Sequence, residues 1–68
     1  MQLTVETEQE EDGRWIAEVT ELPGVLCYGV TEDEARMRAQ ALALRVLADR
    51  LEHGESVAIP LSISFIAA

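Results

Sequence analysis

The run between Thr31 and Gly54, TEDEARMRAQALALRVLADRLEHG, limits what every other residue can do. It predicts one helix of about 23 residues, or about 34 Å at 1.5 Å per residue. Thr31 and Glu34 have the spacing of a capping box, in which the hydroxyl and the carboxylate satisfy free amides at the helix start. Glu32, Asp33 and Glu34 favour the positive end of the macrodipole, His53 sits near the negative end, and Gly54 is the expected stop. In a chain of 68 residues, such a helix leaves room for little more than a sheet to lay it on. At 100° per residue its apolar positions fall on two faces. Met37, Ala41, Leu44, Leu47, Ala48 and Leu51 form the broader stripe, expected against the sheet. Ala35, Ala39, Leu42, Ala43 and Val46 lie nearly opposite and are expected to face outward.

The flanking segments read as strands. LTVETE sets Leu3, Val5 and Thr7 against Thr4, Glu6 and Glu8, the period of two of a half-buried strand. Asp12-Gly13 signals a hairpin. RWIAEVT then places Trp15, Ala17 and Val19 on one face, with Ile16, Glu18 and Thr20 on the other. ELPG turns the chain into a third strand, VLCYGV, where Gly29 suggests a bulge or a close backbone approach. Beyond the helix, VAIPLSISF alternates from Val57 to Phe65, and Pro60 assigns that strand to an edge. The expected fold is one α+β domain over residues 1–68: a three-stranded antiparallel meander, one long helix across one face and a fourth edge strand. A right-handed crossover would make that last strand parallel to a partner.

Charge narrows the function classes. The net charge is -8, and residues 1–35 carry ten acids against the single base Arg14. That field repels phosphate backbones, so no direct nucleic-acid binding is expected. It either serves solubility or steers a basic protein towards the first half. Cys27 is the only cysteine, so no disulfide is possible, and the first ten residues lack the pattern of a signal peptide; a cytoplasmic protein is expected. VAIPLSISFIAA is too short and too interrupted to span a membrane.

Candidate chemistry is sparse. His53 reads as a capping cation and Cys27 as a buried structural thiol with no histidine nearby to activate it. One His and one Cys make no zinc site. Glu8, Glu10, Glu11 and Asp12 lack the spacing of a calcium loop and precede a turn. No catalytic residue, metal ligand or cofactor is assigned, and no enzyme is expected. Glu8, Glu10, Glu11, Asp12 and Tyr28 are the candidate partner-binding residues, Tyr28 because tyrosine is enriched at interface hot spots. So small a core also favours self-association as a dimer or higher oligomer, with Ala39, Leu42, Ala43 and Val46 as the candidate interface.

The stretch EDGRWIAEVTELPGVLCYGVTEDEA resembles the HicB antitoxin family, through Asp12, Gly13, Ala17, Glu18, Leu22, Pro23, Gly24, Gly29, Thr31, Glu34 and Ala35. The likeness runs over about residues 3–60. Thr20 stands where the family often has proline. The resemblance implies a partial ribonuclease H-like fold without nuclease residues, and sequestration of a small basic ribonuclease toxin of the HicA type. Many members continue into a DNA-binding domain; the sequence ends at Ala68, so autorepression is not part of the expectation. The alternative is a stand-alone oligomeric HicB-like domain that binds another protein or a small ligand.

Overall fold

A computed structural model of the chain describes residues 1–55 and 60–68. Its elements are β1 (Gln2–Gln9), β2 (Trp15–Val19), β3 (Leu26–Gly29), α1 (Glu32–Glu52) and β4 (Ser64–Ala67). They build an α+β fold: one mixed sheet in the order β3-β2-β1-β4 with α1 across a single face. β1, β2 and β3 are antiparallel neighbours, and β4 runs parallel to β1 at the edge.

Each turn follows from its residues. Gly13 takes the φ of 91° that closes the first hairpin. In the next turn the Val25 amide donates to the Leu22 carbonyl at 3.1 Å, across Pro23 and a Gly24 with φ of 88°. This is the geometry in which proline suits the second position and glycine the third. At the helix start Thr31 Oγ1 accepts from the Glu34 amide at 3.1 Å. The Glu34 carboxylate reaches back to the Val30 amide at 3.1 Å, one residue earlier than the expected partner. Glycine at position 54, with φ of 71°, follows the last turn, where the Glu55 amide donates to the Arg50 carbonyl at 2.9 Å.

The core joins Leu3 and Val5 of β1, Ala17 and Val19 of β2, Leu22 and Val25 of the second turn, and Ala35, Ala39, Ala43 and Leu47 of α1. The helix is therefore turned opposite to the expectation from side-chain size. Ala39 and Ala43 are fully buried against the chain's own sheet, and Leu42 and Val46 pack beside them, so these four do not form an outward interface. Of the broader stripe only Leu47 is buried; Met37 is 67% exposed, Leu44 46% and Leu51 42%. The cause is a close approach. A Cβ on Gly29 would stand 2.4 Å from the Ala35 nitrogen, so strand and helix backbones meet there with no side chain between them. Near that approach the helix buries Ala35, Ala39 and Ala43, and the larger Leu47 is buried only farther along it.

The last strand also departs from expectation. Pro60 lies in a bend and β4 begins at Ser64, whose amide donates to the Met1 carbonyl at 2.9 Å. Proline has no such donor, and the pairing starts beyond it. The expected start, Val57 to Ile59, lies outside the described residues.

Candidate functional site

The helix covers one face of the sheet and leaves the other open. Alternation puts Glu6 and Glu8 of β1, Ile16 and Glu18 of β2, Leu26 and Tyr28 of β3 and Ile66 of β4 on that open side. The register arranges them in rows. Glu8 stands opposite Ile16, which stands opposite Tyr28; Glu6 stands opposite Glu18, which stands opposite Leu26. Three carboxylates thus share the centre of the face, two of them directly opposed, an arrangement that costs stability. Among the described residues none of the three is in an ion pair. Leu26, Tyr28 and Ile66 are exposed around them.

One end of this face is the β1–β2 hairpin. Glu10, Glu11, Asp12 and Arg14 line a shallow hollow at its tip. Asp12 accepts from the Arg14 amide at 3.0 Å and from its Nε at 2.8 Å, and these bonds, the backbone one foremost, hold its carboxyl below the ordinary range. The Arg14 guanidinium in turn lies 4.7 Å from the centre of the Tyr28 ring. Of the candidate partner-binding residues, Glu8 and Tyr28 fall in one row on the open face. Glu10, Glu11 and Asp12 gather at the adjoining tip, and Arg14 links the two groups. At the far end Glu21 accepts from the Thr4 amide and from Thr4 Oγ1, each at 2.7 Å, and is likewise held below its usual value.

Glu6, Glu18 and Arg14 are not among the partner-binding candidates read from the sequence. The alternation of LTVETE and RWIAEVT carried the signal for both glutamates, but only the register shows that they oppose each other. The remaining candidates keep local roles. His53 Nδ1 lies 2.8 Å from the Asp49 carbonyl at the end of α1, and Cys27 packs half-buried against the core. Among the described residues no three His, Cys, Asp or Glu side chains come together as metal ligands, and no helix is long and apolar enough to cross a membrane.

The bases are concentrated on α1, beside five acids of the same helix. Four of the five bases, Arg36, Arg38, Arg45 and Arg50, are on α1. Arg36 pairs with Glu32 and Asp33, and Arg38 pairs with Glu34 while donating to the Tyr28 carbonyl at 3.1 Å. Comparison with protein-family models, with curated proteins and with solved structures finds no match to this chain.

Proposed function

We propose that the chain is a HicB-like antitoxin module, a cytoplasmic binding protein that sequesters a small basic HicA-type ribonuclease through the open face of its sheet. One observation carries the reading: Glu6 and Glu18 are directly opposed, with Glu8 beside them and no internal cation in an ion pair with any of the three among the described residues. Opposed carboxylates weaken the free sheet, and a basic partner converts that cost into attraction. Exposed Leu26, Tyr28 and Ile66 supply apolar contacts around the charged centre, and Tyr28 is held in place by Arg14. The strand order, with β4 parallel to β1 and one helix behind, fits the partial ribonuclease H-like architecture that the family resemblance implies.

Co-expression with a HicA-type toxin encoded beside the gene tests this reading. Growth rescue and a co-purified complex are expected, both lost in the triple variant Glu6→Lys, Glu8→Lys, Glu18→Lys. The association rate should fall steeply with salt. A folded triple variant that still neutralises the toxin would overturn the assignment of the open face. Absence of any complex with the wild-type chain would overturn the antitoxin reading.

A further inference from the structure

Where the end of β3 meets the start of α1, a hollow of about 250 Å³ is lined by Arg14, Tyr28, Gly29, Val30, Glu34 and Arg38. Two of the chain's five bases meet here against one carboxylate, so the balance is locally positive in a protein of net charge -8. Both bases are held in place. The Arg14 guanidinium lies 4.7 Å from the centre of the Tyr28 ring, with its Nε 2.8 Å from Asp12. Arg38 donates from Nη1 to the Tyr28 carbonyl at 3.1 Å and sets Nη2 3.4 Å from Glu34. Among the described residues these contacts leave most of the guanidinium N–H donors unspent, and both side chains are more than half exposed. We propose that this hollow receives a carboxylate of the toxin and so decides which basic proteins the acidic sheet face accepts, an inference that rests on the antitoxin reading.

The pattern of charge points to that occupant. Glu6, Glu8 and Glu18 attract any positively charged surface, and attraction alone discriminates poorly between basic proteins. Arg14 and Arg38 reverse the sign beside that face. A surface that sets a lysine or arginine opposite the hollow meets repulsion there. One that sets an acid opposite it gains charge-assisted bonds from guanidinium groups whose positions are already fixed, so little ordering is lost on binding. The single excess cation among the lining side chains matches the one charge of a carboxylate better than the two of a phosphate. The exposed Tyr28 ring offers an apolar surface to the stem that carries it.

Neutralising the two bases separates this inference from simple attraction, because the two predict opposite signs. Arg14→Gln with Arg38→Gln makes the protein more acidic, so steering alone would speed capture of a HicA-type toxin and tighten the complex. A carboxylate in the hollow predicts instead that the double variant releases the toxin about tenfold faster.

Surface plasmon resonance against the toxin reads that rate. Each Asp and Glu of the toxin is then changed to its amide in turn, and its chain end amidated, to find which carboxylate enters. One of these changes should weaken the wild-type complex and leave the complex of the double variant unaltered, a coupling that a merely structural role for the arginines would not produce. A double variant that binds as tightly as wild type or tighter, or losses that add for every toxin carboxylate, would overturn the hollow. A second measurement needs neither variant nor toxin. As sodium acetate replaces sodium chloride at constant ionic strength, the Nε resonances of Arg14 and Arg38 should shift with one shared midpoint while those of Arg45 and Arg50 stay in place. All four moving alike, or none moving, would overturn the carboxylate site. Absence of any wild-type complex would sink the antitoxin reading, whereas a complex without the coupling would sink the hollow alone.

Discussion

Gly29 lies against the backbone of Ala35 so closely that an added Cβ would stand 2.4 Å from the Ala35 nitrogen and 2.9 Å from its Cα. Both neighbours are backbone atoms and neither can rotate away. Gly29→Ala should therefore force β3 and α1 apart and destabilise the fold by about 2 to 3 kcal/mol. Gly13→Ala meets no atom within 4 Å and strains only its φ of 91°, which costs about 1 kcal/mol. Urea denaturation of the two variants should rank them in that order. Equal losses would mean that the strand and helix can separate freely.

Thr31→Ala removes the hydroxyl that accepts from the Glu34 amide at 3.1 Å. A loss of about 1 kcal/mol is expected, with Thr31→Ser close to wild type. Thermal melts of the pair check this, and a serine variant as weak as alanine would point to the lost methyl group instead of the cap.

The Glu21 carboxyl should titrate below its ordinary value of 4.5, because the Thr4 amide and, second, the Thr4 hydroxyl bond its charged form. A depressed carboxyl adds stability above the unfolded-state value and loses it as pH falls through the folded value. The contribution of Glu21 should therefore fade only on the acid side. Thr4→Val removes the hydroxyl but keeps the amide, so an NMR titration should show the midpoint moving only part of the way back. A complete return would assign the whole effect to the side chain.

Glu18→Gln relieves the contact with Glu6 across β1 and β2. The variant should gain about 0.5 kcal/mol at low salt, and the gain should shrink as ionic strength rises. Association with a basic partner should slow in the same variant. A stability loss would show that some favourable contact of Glu18 outweighs the repulsion.

Where local chemistry decides, the sequence was legible. The faces of β1 and β2, the two glycine turns and the Thr31 cap follow from alternation, φ preference and side-chain reach, and each stands in the structure as expected. Rotation of the helix was not legible, since it is set by the distance between two backbones. Side-chain size favours burying Met37, Leu44 and Leu51, whereas the approach at Gly29 turns the side of α1 with Ala35, Ala39, Ala43 and Leu47 to the sheet. The candidate site divides along the same line. The acids of the hairpin tip are visible as a run, but the Glu6–Glu18 opposition exists only once the strands are in register.

The pairing of β4 with β1 sets when the sheet can close. The Met1 amino group meets the Ser62 carbonyl across 61 positions, and Leu3 aligns with Phe65. β1, β2, β3 and α1 all precede β4 along the chain, so until β4 docks β1 presents an unpaired side. A bare strand edge is a template for pairing with another chain. The charged side chains of Glu6 and Glu8, on the strand that carries that edge, then act as a guard against mispairing before they meet any partner.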